Sequence, residues 1–408
     1  MLKGKTVVLG VTGSIAAYKI AGLASRLVKQ HADVHVIMTE NATNFIHPTT
    51  FESLTGNKCM VDTFDRNFQF NIAHVSLASR ADVMLVAPAS ANIIAKMAYG
   101  IADDMLSTTA LAMTCPVIVS PAMNVNMFHN PIVQDNLLRL AEYGKIIIPP
   151  ENGHLACGTT GDGKMPSEDV LFDYIIREIA CQKDLAGRKI LVTAGPTQEP
   201  LDPVRYVTNH STGKMGYAIA RQAMLRGAEV TLVSGPVSIA PPPFVKVVSV
   251  VRAAEMFEAV KERWESQDMM IKAAAVADYT PIQTAEDKIK KKDGAMSLSL
   301  ERTQDILAWL GQHKKENQVL CGFSMETRDV LENSTAKLHK KNADMIAANC
   351  LKEAGAGFGT DTNHLSLISE KGVEDLPMLS KEAAADRLLD ALKILWEEKS
   401  TRKGGRVS

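Results

Sequence analysis

The chain has 408 residues, of which 46% are hydrophobic and 22% are charged, and its formal net charge is -1. That length exceeds what one ordinary hydrophobic core serves, so we expect two globular domains. The balanced charge provides no basic field for nucleic acid or for an anionic membrane surface, and the longest apolar stretches fall short of the roughly 20 residues that span a bilayer.

The start of the chain and its cysteines predict a cytoplasmic protein. The first five residues lead directly into a strand and leave no room for a signal peptide. The cysteines lie far apart, with no CxxC pair and no metal-ligand spacing, which predicts reduced thiols and no zinc site. They are Cys59, Cys115, Cys157, Cys181, Cys321 and Cys350.

A glycine loop follows the first predicted strand, residues 6–11, and leads into a helix. The loop has Gly10 and Gly13 but lacks the third glycine of a dinucleotide-binding GxGxxG motif. The hydroxyl of Ser14 suits a monophosphate held at a helix N-terminus. Glu40, after the second strand, could bind a ribose, so an NAD-dependent alternative stays open.

Polar side chains follow the next two predicted strands at their carboxyl ends. Ser90 and Asn92 come after the strand at 83–87, and Asn124 comes after the strand at 116–120. In open α/β sheets, ligands bind beyond the carboxyl ends of the strands. We therefore expect these side chains to face a ligand.

Two further features, His74 and the Asp104–Ser107 pair, have simpler structural explanations, and Cys157 is a candidate proton donor. His74 lies near the start of a predicted helix, where a lone histidine is usually a structural or surface residue. Asp104 precedes Ser107, and plain helix capping would explain that pair. Cys157 lies in a glycine-rich loop at 152–166. A free thiol has a pKa near ~8.5, so at neutral pH it is better placed to donate a proton than to attack.

A second domain is predicted to start after a polar boundary at 182–188. A strand at 190–193 is followed by a polar loop and a glycine-punctuated helix start at 211–216, an arrangement that binds phosphates. An ordinary connection is the alternative, but the loop is densely polar for one. Its polar residues are Glu199, Asp202, Arg205, Asn209, His210 and Lys214.

Strands and helices then alternate again, with strands predicted over 229–234, 269–275, 319–323 and 344–348. Asp278 follows one of these strands and places a carboxylate at another carboxyl edge. The charged run that contains Lys288 is either a solvated loop or a polyphosphate clamp. Lys337 and Lys341, at i, i+4 spacing on a helix, could add to the same positive charge.

Several stretches together resemble known enzymes. In the first half, the segments similar to flavin-containing cysteine decarboxylases read GSIAAYK, APASAN, PAMNVNMF and ACGTTGDGKM. In the second half, those similar to phosphopantothenoylcysteine synthetases read AGPTQEPLDPVRYVTNHSTGKMG, AAVADY and DKIKK. Their order in one chain resembles the bacterial bifunctional phosphopantothenoylcysteine decarboxylases and phosphopantothenate–cysteine ligases of coenzyme A biosynthesis.

The resemblance implies an α/β fold with two Rossmann-like three-layer domains. A flavodoxin-like flavin domain would cover residues 1–182, and a nucleotide-binding ligase domain would cover residues 183–408. The residues that match the family's FMN site are Gly13, Ser14, Ile15, Thr39, Ser90, Asn92 and Ser107, and its catalytic residues match His74, Asn124 and Cys157.

For the first domain, the resemblance implies FMN-dependent loss of CO2 from 4'-phosphopantothenoylcysteine. FMN would oxidise the thiol-bearing carbon with help from His74, CO2 would leave, and the product would be reduced again while Cys157 donates a proton. Asn124 would hold the substrate carboxylate. Loss of Cys157 should therefore stall the reduction rather than the decarboxylation.

For the second domain, the resemblance implies that CTP activates 4'-phosphopantothenate as an acyl-cytidylate, from which L-cysteine displaces CMP. Asn209 would stabilise the acyl-cytidylate, Arg205 would serve the cysteine-dependent step, and Lys288 would meet the triphosphate. Mg²⁺ is implied, although its ligands are not assigned. The implied CTP site consists of Ala274, Ala275, Val276, Asp278, Lys288, Gln304, Asp305, Ile306, Leu307, Phe323, Lys337 and Lys341.

The resemblance also implies a homo-oligomer, a dodecamer of trimeric flavin domains and dimeric ligase domains. Two positions depart from the common family pattern: Phe128 replaces a more polar aromatic residue, and Lys164 replaces an arginine, which loses bidentate geometry but keeps the charge. An NAD(P)-dependent oxidoreductase, a regulatory subunit without activity, and a chain with one decayed domain are the alternatives.

Overall fold

The computed structural model describes residues 2–64, 73–156, 158–291, 295–326, 329–350, 357 and 359–404. The chain divides into two compact units, Met1–Cys181 and Gln182–Ser408. We call them the first and second domains and describe each by itself. No helix within the described ranges is long and apolar enough to cross a lipid bilayer.

The first domain alternates strands and helices. Its strands are β1 (Thr6–Val11), β2 (Asp33–Met38), β3 (Val83–Ala89), β4 (Val117–Pro121), β5 (Ile146–Ile147), β6 (Glu151–His154) and β7 (Thr160–Lys164). Its helices are α1 (Lys19–Lys29), α2 (Pro48–Thr55), α3 (Ala73–Arg80), α4 (Ala91–Tyr99), α5 (Met105–Ala112), α6 (Val125–Phe128), α7 (Pro131–Glu142) and α8 (Glu168–Ile179), with 3-10 turns at Ile15–Tyr18 and Glu40–Asn44.

The sheet of this domain is parallel, and within the described ranges its order is β2-β1-β3-β4-β5. This is the flavodoxin-like order, in which the chain reverses direction across the sheet between β1 and β3. The strands are continuous runs of buried apolar residues because helices cover both faces. On α1, the buried residues recur with helical spacing: Ile20, Leu23, Ala24 and Leu27.

The second domain is also built from alternating elements. Its strands are β8 (Lys189–Ala194), β9 (Gln198–Pro200), β10 (Tyr206–Thr208), β11 (Glu229–Ser234), β12 (Lys246–Ser249), β13 (Met269–Lys272), β14 (Tyr279–Pro281), β15 (Leu300–Arg302), β16 (Val319–Glu326), β17 (Met345–Cys350), β18 (Thr362–Asn363), β19 (Ser366–Ser369), β20 (Gly372–Asp375) and β21 (Leu379–Ser380). Its helices are α9 (Lys214–Leu225), α10 (Ala253–Lys261), α11 (Ile306–His313), α12 (Val330–Lys340) and α13 (Lys381–Gly404), with a 3-10 turn at Trp264–Ser266.

The main sheet of the second domain has the order β12-β11-β8-β13-β16-β17-β19-β20 in the part of the chain that the structure describes. From β12 to β17 the strands are parallel and follow the order 3-2-1-4-5-6 of dinucleotide-binding folds, with the change of direction between β8 and β13. The strands β19 and β20 extend the sheet in antiparallel pairing.

The predicted α/β class with two Rossmann-like domains is confirmed, but some strands were predicted incorrectly. The strand predicted over 269–275 ends at Lys272. Beyond it, the hydroxyls of Thr193 and Thr197 accept hydrogen bonds from the backbone N–H groups of Ala274 and Ala277, at 3.2 and 3.0 Å. These side-chain bonds interrupt the regular ladder, which continues only as an isolated parallel bridge between Pro196 and Ala275.

Candidate active sites

The carboxyl edge of the first sheet is tied together at Thr12, between β1 and β3. Its buried Oγ1 donates to the carbonyl oxygen of Pro88 at 2.6 Å and accepts from the backbone N–H of Ser90 at 3.0 Å. The backbone N–H of Thr39 donates to the carbonyl oxygen of Val11 at 3.0 Å. Ser90 and Thr39 therefore flank the glycine loop at the switch point of the sheet.

The glycine loop itself offers a cradle for a small anion. A Cβ at Gly13 would lie 2.8 Å from the Cβ of Asn41, so only glycine allows this close approach. Ser14 caps the following 3-10 turn, and its Oγ accepts from the N–H of Ala16 at 3.3 Å. The Oγ1 of Thr39 is buried and has no hydrogen-bond partner within the described structure, a state that a bound ligand would relieve.

Next to this loop lies a cavity of about 390 Å³, which we call the hairpin cavity. It brings together three predicted site residues, Ser14, Ile15 and Asn124. Its full lining is Ser14, Ile15, Ala16, Tyr18, Lys19, Ala122, Met123, Asn124, His154, Leu155, Ala156, Gly163, Lys164 and Met165.

The far wall of this cavity is the antiparallel hairpin β6–β7, in the segment that the sequence predicted as a glycine-rich loop. The N–H of Met123 donates to the carbonyl oxygen of Gly163 at 3.0 Å, which attaches the hairpin to the loop after β4. A Cβ at Gly163, where φ is 118°, would lie 2.4 Å from the carbonyl oxygen of Met123. His129 Nε2 lies 3.1 Å from the Oδ2 of Asp162 and adds a second attachment.

Asn124 stands at the start of α6 with its side chain fixed. Its Oδ1 accepts from the N–H of Asn126 at 2.8 Å as the helix cap. That bond assigns the oxygen to the helix, so Nδ2 is the group that can donate to a carboxylate in the cavity.

Among the described residues, the other site residues predicted for this domain do not line the hairpin cavity. His74 is half-buried on α3, which packs against α5. On α5, Ser107 is buried and forms a capping box with Asp104, whose Oδ1 accepts from the N–H of Ser107 at 2.7 Å. Asn92 is exposed on α4.

Cys157 lies outside the described residues. On either side of that position, the N–H of Leu155 donates to the carbonyl oxygen of Thr159 at 2.8 Å. Residues 154–156 line the hairpin cavity, so the chain on the amino side of position 157 borders it.

In the second domain, glycines bring the helix α9 close to the end of β8. A Cβ at Gly216 would lie 2.6 Å from the Cβ of Ala194, and one at Gly213 would lie 2.7 Å from a methyl group of Val237. Gly213 is the cap of α9 and has a φ of 77°. The N-terminal end of α9 is thereby held at the switch point between β8 and β13.

A cavity of about 400 Å³ opens beside this helix end, and we call it the glycine-loop cavity. Asn209 lines it, and its Nδ2 donates to the carbonyl oxygen of Ala275 at 3.0 Å. Residues 211–216 and 272–276 line it as well. Two further lining residues, Asn349 and Asn363, have buried side-chain oxygens without a hydrogen-bond partner in the described structure.

An adjoining cavity of about 430 Å³, the lysine cavity, collects most of the predicted CTP residues. Of the predicted set, Ala274 and Ala275 line the glycine-loop cavity instead, and Lys288 lines neither cavity. The lysine cavity is lined by Lys272, Val276, Asp278, Tyr279, Arg302, Thr303, Gln304, Asp305, Ile306, Leu307, Phe323, Lys337 and Lys341.

The charges of the lysine cavity favour a polyanion. Four cationic and two carboxylate side chains line it, so the formal sum is positive. Asp305 caps α11 and pairs with Lys341, whose Nζ lies 2.5 Å from its Oδ2. Burial alone would raise the pKa of Asp305, but hydrogen bonds from Lys341 and from the N–H of Ala308 lower it overall. The N-terminal end of α11, at Ile306, adds the positive end of a helix dipole.

Arg205 and Lys288 form a separate cluster outside both cavities. Arg205 binds Asp202 through Nε at 3.0 Å, and its Nη2 donates to the carbonyl oxygen of Ile289 at 2.7 Å. The Arg205 guanidinium holds the pKa of the buried Asp202 carboxyl well below its usual range. Exposed Lys288 precedes Ile289, so the two predicted cations lie on neighbouring segments.

Sequence reasoning overlooked Lys272, Asn349 and Asn363. Lys272 had a visible signal, because a lysine directly after Met269, Met270 and Ile271 is unusual in a central strand. Asn349 directly follows the strand predicted over 344–348 and so carried a strand-end signal, whereas Asn363 carried none. Conversely, Glu199 of the polar loop is structural, since its carboxylate is buried and accepts hydrogen bonds from the N–H of Ala253 and the hydroxyl of Thr280, each at 2.9 Å.

Comparison with known proteins identifies the family. Residues 1–180 match the flavoprotein family model, and residues 185–395 match the model of the DNA/pantothenate metabolism flavoprotein C-terminal domain. The chain is 44% identical over 406 residues to the coenzyme A biosynthesis bifunctional protein CoaBC of Bacillus subtilis (strain 168), covering 98% of this chain and 100% of the relative. The protein of that name from Escherichia coli (strain K12) is 42% identical over 404 residues, with 98% and 100% covered.

The chain belongs to the family of bifunctional coenzyme A biosynthesis proteins. Among solved structures, the C-terminal domain of a CoaBC protein is 43% identical, covers 53% of this chain and 100% of its own, and has a TM-score of 0.46. As a member of the bifunctional family, the protein is an enzyme with a flavoprotein decarboxylase half and a ligase half. The oxidoreductase and regulatory-subunit alternatives are set aside.

Proposed function

We propose that the second domain joins 4'-phosphopantothenate to L-cysteine through an acyl-cytidylate made from CTP, and that the first domain decarboxylates the product to 4'-phosphopantetheine with FMN. The observation that carries this proposal is the pairing of two adjoining cavities at the switch point of the second sheet, one of them rich in lysine. A ligation needs room for an activating nucleotide and for an acid side by side.

The polar groups at the carboxyl edge of the first sheet suit the binding of FMN. The cradle at Gly13 and Ser14 suits the phosphate, and the unpartnered Thr39 Oγ1 and the hydroxyl of Ser90 suit the polar edges of a flavin. When bound, FMN supplies the electron sink that loss of CO2 from a cysteine carboxylate requires. Asn92 and Ser107 complete the proposed binding set.

Three residues of the first domain are assigned to the reaction itself. Asn124 Nδ2 donates to the substrate carboxylate and holds it in the hairpin cavity, because its Oδ1 is already used as the cap of α6. His74 assists proton transfer during oxidation of the thiol-bearing carbon. Cys157 returns a proton in the reductive step, and the hairpin β6–β7 excludes water from that step.

The second domain is proposed to hold the triphosphate in the lysine cavity. Lys337, Lys341 and the N-terminal end of α11 provide positive charge there, and Lys288 reaches the phosphates from the neighbouring charged loop. Mg²⁺ would accompany the phosphates and be held mainly by them. Among the described residues there is no group of three or more His, Cys, Asp or Glu side chains arranged to hold a metal.

The glycine-loop cavity is proposed to hold 4'-phosphopantothenate. Its orphan acceptors, the side-chain oxygens of Asn349 and Asn363, suit the hydroxyl and amide N–H groups of that acid. Asn209, which lines the glycine-loop cavity, stabilises the acyl-cytidylate, and Arg205 serves the later attack by the cysteine amine. We further propose a cytoplasmic homo-oligomer, a dodecamer of trimeric first domains and dimeric second domains.

The test is an anaerobic incubation of the full chain with 4'-phosphopantothenate, cysteine, Mg²⁺ and CTP, following pyrophosphate, CO2 and the flavin absorption. We expect yellow protein that releases pyrophosphate and CO2 in equal amounts. Asn209→Ala should lose pyrophosphate release but still decarboxylate supplied 4'-phosphopantothenoylcysteine, and Asn124→Ala should show the reverse.

Each variant serves as the control for the other, because each should keep the activity of the unaltered domain and so show that the chain folds. Pyrophosphate without CO2 from the wild-type protein would falsify the decarboxylase half and indicate a decayed first domain. Pyrophosphate release with ATP as fast as with CTP would contradict the assigned nucleotide.

A further inference from the structure

We infer that Lys272 binds substrate in the ligase reaction, where its ammonium group holds the α-phosphate of the nucleotide while the acyl–phosphate bond forms. The inference rests on the proposed ligase function and assigns a residue that the resemblance did not.

Lys272 stands at the centre of the site. It is the last residue of β13 and pairs with Thr193 of β8 and Gly322 of β16, at the switch point where this fold class binds ligands. The three preceding residues of the strand are fully buried and apolar. Lys272 itself is half-buried, because its side chain borders the two cavities. A lysine at such a position loses part of its side-chain freedom and hydration, a cost that an anionic ligand would offset.

Lys272 also lies where the two cavities meet. It lines both, and so do Val276, Asp278, Phe323 and Lys337. Of the two cations in this shared wall, Lys337 donates to the carbonyl oxygen of Phe323 at 3.1 Å. Lys272 forms no hydrogen bond or ion pair with any residue that the structure describes.

Other lysines of the two cavities already have partners. Lys341 pairs with Asp305 at 2.5 Å, and Lys214 pairs with Asp361 at 2.7 Å. Lys381 donates to backbone carbonyl oxygens, including that of Thr362 at 3.1 Å. Arg302 also has no partner among the described residues, but it lines the lysine cavity alone. Of the described cations that line both cavities, Lys272 is therefore the one that a ligand can bind without breaking an existing contact.

The groups around Lys272 set the pKa of its amine, and this pKa decides whether the amine carries the charge that binds an anion. Burial, and after it the charge of Lys337, lowers the pKa of Lys272 to about 8, against the opposing effects of Asp305 and Asp278. Lys341 adds a smaller repulsion. At neutral pH the amine is still mostly protonated, and a phosphate at the junction would favour that charged form.

The assigned step is the transfer of the cytidylyl group. A carboxylate oxygen of 4'-phosphopantothenate attacks the α-phosphorus, the bond from that phosphorus to the bridging oxygen breaks, and pyrophosphate leaves with the electron pair. Negative charge lies on the phosphoryl oxygens and on the leaving group during this exchange. A fixed ammonium group at the junction stabilises that charge more than it stabilises the separate substrates.

The experiment uses the full chain with Lys272→Met, which keeps the length of the side chain and removes the charge. We expect kcat for pyrophosphate release to fall by about 10²–10³-fold, as for loss of one transition-state donor, while KM for CTP changes less than tenfold. Lys246→Met, at the exposed start of β12, is the matched control and should leave the rate unchanged.

The pH profile gives a second, independent readout. In the wild type, kcat/KM for CTP should fall above pH ~8 as Lys272 loses its proton. Lys272→Arg should remove this alkaline limb of the pH profile because arginine stays charged. Decarboxylation of supplied 4'-phosphopantothenoylcysteine shows that the chain remains functional, and tryptophan fluorescence shows that the second domain remains folded.

The outcomes separate this inference from the function on which it rests. A wild type that releases no pyrophosphate defeats the ligase proposal itself. If the wild type releases pyrophosphate and the rate of Lys272→Met is within threefold of the wild-type rate, the role assigned to Lys272 is wrong. If Lys272→Met unfolds, the arginine variant decides, and an unchanged alkaline limb in that variant counts against Lys272.

Discussion

Arg226 is a nearly buried cation at the C-terminal end of α9, and it holds several segments of the second domain together. Its Nε and Nη2 bind the carboxylate of Asp184 at 2.9 and 2.6 Å, and its Nη1 lies 2.8 Å from the Oδ1 of Asp390. Lys393 adds a contact to Asp184 at 3.1 Å. The start of the domain is thus tied to α9 and α13 by a bidentate pair, the strong form of a charged hydrogen bond.

The substitution Asp184→Asn should destabilise the second domain in a pH-dependent way. The Arg226 guanidinium lowers the pKa of Asp184 to about 2, so its stabilisation is present above the unfolded-state pKa of about 3.9 and is lost as pH falls through about 2. Because the side chain is a quarter exposed, we expect about 1–2 kcal/mol at pH 7.

Urea unfolding followed by tryptophan fluorescence measures this loss, because Trp264, Trp309 and Trp396 all lie in the second domain. Glu258→Gln removes an exposed ion pair with Lys261 and should cost less than about 0.5 kcal/mol. A difference between wild type and Asp184→Asn that stays constant from pH 7 to pH 2 would argue against the ion pair as its cause.

At the scale of elements, α9 depends on its approach to β8. A Cβ at Gly216 would lie 2.6 Å from the Cβ of Ala194 and 3.2 Å from the carbonyl oxygen of Thr193, so Gly216→Ala must move the first turn of the helix. We expect a loss of about 1–3 kcal/mol in stability and a fall in pyrophosphate release of at least tenfold.

Gly359→Ala is the matched control, since a Cβ there meets nothing within 4 Å. Steady-state assays of both halves on both variants check the prediction. Decarboxylation should stay at the wild-type rate throughout, and a Gly216→Ala protein with normal pyrophosphate release would show that the helix end does not position substrate.

The parallel strands could be predicted from sequence, and the antiparallel additions could not. The strand predicted at 190–193 is observed as Lys189–Ala194, because a buried strand is a continuous apolar run with clear limits. The hairpin Glu151–His154 with Thr160–Lys164 has polar and glycine residues instead of alternating apolar ones, so its pattern resembles a loop. Its pairing depends on contacts to Met123 and His129 from elsewhere in the chain.

The roles predicted for the site residues stay predictions, but their positions in the fold can be compared with the sequence motifs. Motifs placed Ser14, Ile15 and Asn124 around one cavity and most CTP residues around another, because both sets follow strand ends that the topology gathers. Lys272 was missed because the strand was predicted three residues too long, which hid a charged strand end. Asn363 could not be identified as a candidate from sequence, since its unpaired side-chain oxygen is visible only in the packed structure.

For the whole molecule, the first domain carries a surface that suits assembly. Tyr99, Ile132 and Tyr143 are 61%, 68% and 67% exposed, and the Arg139 guanidinium lies 4.6 Å from the ring centre of Tyr99. Ile132 and Arg139 share one face of α7 at helical spacing, and Tyr143 is the residue that caps the C-terminal end of this helix. Exposed aromatic residues beside an arginine are typical of the energetically important part of a protein interface.

The proposed assembly predicts that the full chain runs in light scattering as a dodecamer of 44.3 kDa subunits. If this surface forms the trimer contact, the double variant Ile132→Asp, Tyr143→Asp should run as a dimer. The added carboxylates would have to be buried without partners in the trimer contact, which costs several kcal/mol for each copy, whereas the second domains keep their own contact. Leu111→Asp, equally exposed but on α5, should leave the mass unchanged. A dodecamer that survives the double variant would place the trimer contact on another face of the first domain, and a wild-type dimer would remove the trimer altogether.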